Sequence, residues 1–444
     1  MRNLGACFLI LSFGLACRVQ ADDRVQWLSD HAVAIQSIDP DDDADFTDLQ
    51  PLKKLIGDAR LVVLGEQSHG DGAVFLAKAR LVKFLHQEMG FDVLAWESGM
   101  FDCSEVQRAM RDPAVPMDEV CKRGVFGIWT ASAQVRPTLE YVRESIKSER
   151  PIETCGFDHQ FSAGAATRWP QAMLTYFDAA DPALLPGEVR QALESGIKPI
   201  FERDAANLQQ LQTILTRLAS LMDEHREALT KTHGEESFVF MRRCADDTIV
   251  SAKSMAEFLA GGERPAAVLN NTRDERMAEN LVWLMNERYK NRKVIAWMAT
   301  FHGAHDIQKI RPAMNAALYD GVVNCGTAAH KTLGRAMYTI GFTAADGKAG
   351  NVWGRSTMDL PKPSADSLED LCLKTGKPFL FIDFKSLPQD HWLRGELVSR
   401  PLGYGEMIAI WPNQMDAMCY IKTMFPSTRE NALPEYARIR ADQP

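Results

Sequence analysis

One stretch near the N-terminus, residues 61–99, constrains the fold of this chain more than any other. Leu61–Leu64 is a short apolar run closed by Gly65, as in a buried strand. Apolar residues then recur at helical spacing until Gly90, which stands where a helix C-cap is expected. A second apolar run, Val93–Trp96, follows. This strand–turn–helix–strand order predicts a right-handed crossover between two parallel strands, and therefore an α/β fold.

Polar side chains stand at the carboxyl ends of both predicted strands. Glu66 and His69 lie in the turn after the first strand, and Glu97 ends the second. Open α/β sheets place their sites in the crevice at these strand ends, so we expect two carboxylates and an imidazole to share one crevice. The residues alone leave a second interpretation open, in which Glu66 and Asp71 cap the helix and His69 is a turn residue.

The same stretch carries the motifs of a known family: GEQSHG, then a helix, GF, and an apolar strand that ends in ESG. In these motifs the chain resembles the erythromycin esterase-like family of hydrolases, and the resemblance extends from about Leu52 to Pro426. It implies an α/β fold in which the histidine of GEQSHG, His69, acts as a general base on water. The implied substrate is a small-molecule ester or lactone.

Two further segments match the family pattern. Gly-Phe-Asp after an apolar run makes Asp158 a site candidate, although an aspartate there can also cap the next turn. The segment NTRDERMAEN resembles the family's R-D-x-x-M-A-x-N pattern, on a helix that Asn271 or Thr272 can cap. Arg273 and Arg276 share one face of that helix. Either one of them reaches a site carboxylate or a substrate oxyanion, or they are surface arginines paired within the helix.

A later pair of histidines gives further site candidates. The apolar run Val294–Trp297 predicts another core strand, and MATFHGAH follows it. The family has a strand, a Trp and an H-N-x-H segment here, and this chain fits that segment in two registers. Counting from Trp297 makes His302 the second histidine, whereas H-x-x-H spacing makes His302 and His305 the pair. Both registers retain His302, for which the alternative is a hydrogen-bonded histidine at a strand end.

The absence of several motifs limits the kinds of catalytic site that the sequence supports. It has no G-x-S-x-G elbow, no H-E-x-x-H and no glycine-rich phosphate loop. Histidine and carboxylates without an evident nucleophile predict activation of water, with His69 as the base and Glu66 polarising its imidazole. Glu97 would raise the His69 pKa or orient the water. His302 or an arginine of the Arg273 helix would stabilise the oxyanion. The predicted substrate-binding residues are Lys78, Arg80, Asp158, Arg273, Arg276 and His305, and we expect neither a metal nor another cofactor.

Two other classes of function stay open on the sequence. His69, His302, Glu66 and Glu97 are also the ligand types of a two-histidine, two-carboxylate metal site, so a metal-dependent hydrolase is one alternative. The other is a non-enzymatic binding protein, because a distant relative of the fold binds haem and 19 methionines weakly permit such a site. A metal assay on purified protein tests the first alternative, and a Soret absorbance band tests the second.

Charge and length limit the partners and the architecture. A net charge of −9 argues against non-specific binding to nucleic acid. No segment after the N-terminal region has the roughly 18 uncharged apolar residues of a membrane helix.

We expect a single α/β domain over residues 22–444, with a mostly parallel central sheet flanked by helices and a helical insertion at about 165–265. Two late runs, Met407–Trp411 and Asp416–Pro426, predict a terminal strand pair.

The N-terminus predicts export to the periplasm or the medium. Arg2 gives a positive start, residues 7–17 form a short apolar core, and Val19-Gln20-Ala21 fits a small-x-small cleavage site. These features are typical of a secretory signal peptide. Cys17 also permits a lipoprotein signal, although Gly14 stands where such signals usually carry leucine.

Export would permit disulfides among the remaining cysteines. Cys103 and Cys121 are close along the chain, in a segment predicted to be a helix and a loop. We therefore expect a disulfide between them.

If the signal peptide, residues 1–21, is removed, the mature protein begins at Asp22. Mass spectrometry of protein recovered from the periplasm or medium of the native host should find that N-terminus, because the small residues at 19 and 21 suit signal peptidase. Recovery of the chain with Met1 retained would contradict export by this route.

Overall fold

The structure, a computed structural model, describes residues 23–429 except 43–44, 163, 262–264, 314, 316 and 351–356. The predicted signal peptide, residues 1–21, lies outside the described residues. Among the residues that are described, no helix is long and apolar enough to cross a membrane.

A large β-sheet runs through the centre of the described chain. The strands of this sheet and of a small second one are, in chain order, β1 (Val33–Ala34), β2 (Leu61–Leu64), β3 (Val93–Gly99), β4 (Glu153–Asp158), β5 (Val294–Trp297), β6 (Arg311–Pro312), β7 (Met337–Ala349), β8 (Met358–Asp359), β9 (Phe379–Asp383), β10 (Leu397–Ser399), β11 (Met407–Ala409) and β12 (Ala417–Met424). The large sheet has the order β1-β9-β12-β7-β2-β5-β3-β4, with β8 paired to β7, and β10, β11 and β6 form the small sheet. The six neighbouring strands from β12 to β4 run parallel, which confirms the predicted α/β class with a mostly parallel central sheet.

Helices flank this sheet. Up to β5 they span residues 23–31, Gln50–Ile56, Gly72–Met89, Met100–Arg111, Met117–Cys121, Gly127–Thr130, Arg136–Ser145, Ala165–Ala180, Gly187–Ser195, Lys198–Glu202, Ala205–Glu224, Arg226–His233, Glu235–Ala260 and Pro265–Trp283, the last continued by a π turn at Leu284–Arg288. After β5 they span Thr300–Gly303, Cys325–Leu333 and Leu368–Lys374. Short 3-10 turns lie at Thr47–Leu49, Pro182–Leu184, Ile307–Lys309, Gly334–Ala336, Trp392–Arg394 and Trp411–Asn413.

The central parallel strands are buried on both faces, which explains their unbroken apolar sequences. Alternate residues of β2 belong to two different apolar cores, because side chains alternate across a strand. Val62 shares one core with the helix Gly72–Met89, and Val63 shares the other with the helix Pro265–Trp283. The sheet is therefore the middle of three layers.

The strands β2 and β3 are parallel but not adjacent, since β5 lies between them and pairs with both. The chain reaches β5 only after a long segment in which every described element is helical. The loop after β5 consequently emerges between the ends of β2 and β3. There the Thr300 amide donates to the Glu66 carbonyl at 2.8 Å, and the Ala299 amide donates to Glu97 Oε2 at 2.9 Å.

The helices between β4 and β5 share an apolar core of their own. The last of them begins at Pro265, so Asn271 and Thr272 lie inside the helix and the predicted cap is wrong. The Asn271 amide instead donates to the Gly321 carbonyl at 2.8 Å, which ties this helix to the loop before Cys325–Leu333.

The predicted disulfide is also wrong, because Cys103 and Cys121 are both free and buried. Cys103 lies in the helix Met100–Arg111, where burial and the charge of Asp102 raise the pKa of its thiol. Cys121 ends the next helix, where burial raises the pKa of its thiol to about 11 although the charge of Arg136 opposes this shift. The two sulfurs therefore have different surroundings although they are close along the chain.

The two late apolar runs do not form a strand pair with each other. The first contains β11, which pairs with β10 and β6 in the small sheet. The second contains β12, which enters the large sheet between β7 and β9. The prediction of a terminal strand pair is therefore wrong, although both strands exist.

Arg80 is bound to the segment before β2, a position that does not support its predicted substrate-binding role. Its guanidinium makes two 2.8 Å hydrogen bonds to the Asp48 carboxylate and donates to the carbonyls of Ser37 and Asp42, both at 2.9 Å. Arg80 and Asp48 are both buried. The pair thus fastens the segment before β2 to the helix Gly72–Met89.

Arg80→Met should lower the free energy of unfolding by about 3–5 kcal/mol, because it leaves the Asp48 carboxylate buried without its cation. Urea unfolding followed by circular dichroism measures this loss. The matched control is Lys53→Met, which removes the cation of the partly exposed Lys53–Glu88 pair and should cost no more than about 1 kcal/mol. Equal losses in the two variants would contradict the structural role of Arg80.

Candidate active site

Glu66 accepts side-chain hydrogen bonds from three residues around the candidate site. It follows β2, and its side chain is fully buried. Oε1 accepts hydrogen bonds from His69 Nδ1 at 2.8 Å and from the Trp129 indole at 2.7 Å, and Oε2 accepts one from Lys78 Nζ at 2.5 Å. Burial raises the pKa of this carboxyl group, but the charge of Lys78 and the hydrogen bond from His69 hold it below its usual value. Glu66 is therefore ionised.

His69 has one ring nitrogen on Glu66 and keeps 38% of its side-chain surface exposed. Because Glu66 is ionised, Nδ1 donates that hydrogen bond and Nε2 carries the lone pair of the neutral ring. Nε2 has no hydrogen-bond partner in the part of the chain that the structure describes. Burial lowers the His69 pKa, but the hydrogen bond and charge of Glu66 and the charge of Glu97 raise it above its usual value overall.

Lys78 serves the site through its charge. It lies on the helix Gly72–Met89, is fully buried, and places its ammonium 4.1 Å from the centroid of the Trp297 ring. Burial lowers the Lys78 pKa to about 8, although Glu66 opposes this shift. Lys78 has no exposed surface and is bound to Glu66, so its position does not support the predicted substrate-binding role.

Arg273 links the ends of two strands. Its Nη2 donates to Glu97 Oε1 at 2.8 Å and to Asp158 Oδ2 at 2.7 Å, and its Nε donates to the same Asp158 oxygen at 3.0 Å. Glu97 lies in β3, Asp158 ends β4, and Arg273 projects from the helix Pro265–Trp283. Burial opposes ionisation, but Asp158 and Glu97 raise the Arg273 pKa above its usual value. The side chain remains 19% exposed, so this cation is fixed but still reachable.

His302 lies beside the same guanidinium. Its Nδ1 is 2.7 Å from Asp274 Oδ1, and its Nε2 is 3.3 Å from Glu97 Oε1 and 3.4 Å from Arg273 Nη1. Burial lowers the His302 pKa, but the charges of Glu97 and Asp274 raise it above its usual value overall. Only 8% of this side chain is exposed, so His302 is far less accessible than His69.

These residues form one cluster, which we call the site cluster: Glu66, His69, Lys78, Glu97, Asp158, Arg273, Asp274 and His302. Four carboxylates in it face two cations, Lys78 and Arg273. The excess of negative charge explains why both imidazoles have raised pKa values. The Glu97 pKa is raised by burial but lowered more by His302, Arg273 and His69, so this carboxylate also stays ionised.

Segments from the far end of the chain hold the turn after β2. Asp71 Oδ2 accepts a 2.8 Å hydrogen bond from the Ser68 amide, and Asp71 Oδ1 accepts a 2.6 Å bond from the Tyr404 hydroxyl. The Ser427 amide donates to the Gly70 carbonyl at 2.7 Å. Burial raises the Asp71 pKa to about 7. The position of His69 thus depends on residues more than 300 positions later in the chain.

The cluster fits a metal ion poorly. The carboxylates that would bind the ion are already paired with cations, Glu66 with Lys78 and Glu97 with Arg273. Within the described residues, no group of three or more histidine, cysteine, aspartate or glutamate side chains has an arrangement that could hold a metal.

The sequence pattern of the erythromycin esterase family matches residues 86–427, which is most of the chain. The chain belongs to the erythromycin esterase family. Family membership makes the protein a hydrolase. The match includes Glu97, Asp158, Arg273 and His302, and it begins after the turn that carries Glu66 and His69.

Similar proteins agree with that assignment. The chain is 27% identical to the putative hydrolase YbfO of Bacillus subtilis (strain 168), over 95% of this chain and 96% of that protein. It is 24% identical to erythromycin esterase type II of Escherichia coli, over 82% of this chain and 90% of that protein. A solved erythromycin esterase mutant in its open conformation has the same fold, with a TM-score of 0.65 and 15% identity over 89% of this chain and 98% of that one.

In this erythromycin esterase family member, two more predicted substrate-binding residues lie outside the site cluster, as Arg80 does. Arg276 Nε pairs with the buried Asp247 at 2.7 Å, and its Nη1 pairs with Glu279 at 2.8 Å. His305 contacts Thr339 Oγ1 at 3.1 Å, and burial lowers its pKa to about 3. Both side chains are engaged in structural contacts, so their predicted role is not supported by their position.

Two residues that contact the site's histidine and glutamate side chains, Trp129 and Asp274, are not among the residues predicted from the sequence. Trp129 lies on the four-residue helix Gly127–Thr130 and donates to Glu66, but an isolated indole in a short apolar segment gives no signal of such a contact. Asp274 is not among the predicted site residues. It follows Arg273 in the family motif, so the motif itself was the available signal for its contact with His302.

Glu66→Gln should lower the pKa of His69, because the amide keeps the size of the side chain and loses the negative charge that favours the imidazolium. A titration of the histidine ring resonances by NMR measures this change. Glu88→Gln, at a partly exposed carboxylate paired with Lys53, is the control and should leave the His69 pKa unchanged. An unaltered His69 pKa in the Glu66 variant, with the fold intact, would show that Glu66 does not control this imidazole.

Proposed function

We propose that this hydrolase cleaves an ester or lactone bond of a small molecule, with His69 as the general base that activates water. The observation that best supports this proposal is the arrangement of His69, whose Nδ1 is bound to the ionised Glu66 while the ring remains partly exposed. The family supplies the reaction class, and the relative named erythromycin esterase type II supports an ester bond.

The proposed proton transfer follows from the tautomer of His69. Neutral Nε2 takes a proton from water as the water oxygen bonds to the carbonyl carbon. Glu66 stabilises the imidazolium that forms, and the charge of Glu97 adds to this effect. The imidazolium then returns the proton to the leaving alkoxide, so that ester and water become acid and alcohol. A lactone would give a single hydroxy acid by the same step.

Arg273 is the proposed stabiliser of the oxyanion. Its guanidinium is held by Glu97 and Asp158 and retains an exposed part, so it can face developing charge without reorganising. His302 contacts Glu97 and Arg273 and is almost fully buried. We therefore assign His302 a positioning role for these two side chains.

His69→Ala should lower kcat by at least about a hundredfold, because general-base catalysis contributes about 10²–10⁴-fold, while the melting temperature stays near that of wild type. Hydrolysis of a panel of aryl esters and macrolide lactones measures the rate. In wild type the rate should fall as the pH drops through the raised His69 pKa, since only the neutral ring accepts a proton. The control His225→Ala alters a histidine that no catalytic step uses, and it should retain full activity.

The same assays distinguish the metal-dependent alternative. Activity that a chelator abolishes and added zinc or manganese restores would make His69 a ligand and not a base. Full activity in His69→Ala would contradict both mechanisms.

A further inference from the structure

A cavity of about 250 Å³ lies between the loop after β4 and two helices, Lys198–Glu202 and Glu235–Ala260. No member of the site cluster lines it. Three features of the described residues meet at this cavity: a buried ring nitrogen without a partner, an exposed aromatic ring and an arginine without an ion pair. Each of them has a ligand group that would complement it.

The buried ring nitrogen belongs to His159, of which 4% is exposed. Ser251 Oγ donates to the His159 carbonyl at 2.9 Å and lies 2.8 Å from His159 Nδ1. Because the hydroxyl proton goes to the carbonyl, Nδ1 must carry the ring proton, and Nε2 is left as an acceptor. Nε2 has no partner among the described residues, and a buried acceptor without a donor is costly. A ligand hydroxyl group would supply that donor.

The aromatic ring belongs to Phe201, which is 50% exposed. Its centroid lies 6.2 Å from that of Phe161, with the ring planes at 56°, and Met255 lines the same cavity. Together these side chains make an apolar wall that is open to solvent. A flat ring placed against this wall would cover apolar surface that now faces water.

Arg203 supplies the only cation that lines this cavity within the described chain. It is the C-cap residue of the helix Lys198–Glu202, and its φ of +55° lies in the left-handed region in which helices commonly end. Its guanidinium stands 5.8 Å from the centroid of the Phe258 ring. It forms no ion pair with any residue that the structure describes, so it is available to a carboxylate.

We infer that this cavity is a second binding site and that it takes a small aromatic hydroxy-carboxylate. The ring lies against Phe201, the hydroxyl group donates to His159 Nε2, and the carboxylate pairs with Arg203. The inference does not depend on the proposed ester chemistry, because no residue of the site cluster takes part.

Isothermal titration with 4-hydroxyphenylacetate tests this site on the full-length protein. Phenylacetate lacks the hydroxyl donor, and 2-(4-hydroxyphenyl)ethanol lacks the carboxylate. Each should bind about tenfold more weakly than the parent compound, because each leaves one polar partner in the cavity unpaired. Equal affinities for the three compounds, or no binding of 4-hydroxyphenylacetate, would overturn the inference.

Substitutions of Arg203 and Phe201, which line the cavity, test where the compound binds. Arg203→Gln should weaken 4-hydroxyphenylacetate about tenfold and leave 2-(4-hydroxyphenyl)ethanol unchanged, and Phe201→Ala should weaken both. The matched control is Arg226→Gln, since Arg226 also stands over a phenylalanine ring, 4.6 Å from the Phe238 centroid, but lines no part of the cavity. Binding that survives Arg203→Gln and Phe201→Ala but disappears in His69→Ala would place the compound in the site cluster and overturn the inference.

Discussion

The ion pairs of one guanidinium, that of Arg273, hold the candidate site together. Glu97 lies near the end of β3 and Asp158 ends the neighbouring parallel strand β4, and two carboxylates at one sheet edge repel each other unless a cation lies between them. Arg273 offsets this repulsion and at the same time fixes the helix Pro265–Trp283 against the sheet. His302 then rests on the same helix through Asp274. Loss of this one cation would therefore disturb two strands, a helix and a histidine.

A second constraint acts on the turn after β2. The Glu66 side chain in this turn is ionised and has no water-exposed surface, so both of its carboxylate oxygens need hydrogen-bond donors. Trp129 and Lys78 come from different helices, and Tyr404 fixes Asp71 at the end of the turn. Residues from distant parts of the chain thus meet at one short turn, so the site forms only when the whole sheet has assembled.

The sequence could predict those parts of the structure that depend on local pattern. The apolar runs at Leu61–Leu64 and Val294–Trp297 became β2 and β5 with the same bounds, because strands buried on both faces must be continuously apolar. The order of the strands could not be predicted, since β5 enters between β2 and β3 through long-range pairing. For the same reason closeness along the chain misled the prediction for Cys103 and Cys121.

Four histidines of this chain differ in pKa and in exposure to solvent because their surroundings differ. His159 and His305 are buried without a carboxylate bound to the ring, and burial lowers their pKa values to about 4 and about 3. His69 and His302 have carboxylates on the ring, and their pKa values are raised. Of these two, His302 is nearly closed to solvent, while His69 keeps an exposed edge. Among the four, only His69 is able both to hold a proton near neutral pH and to reach a water molecule, which is why the proposed chemistry rests on this residue.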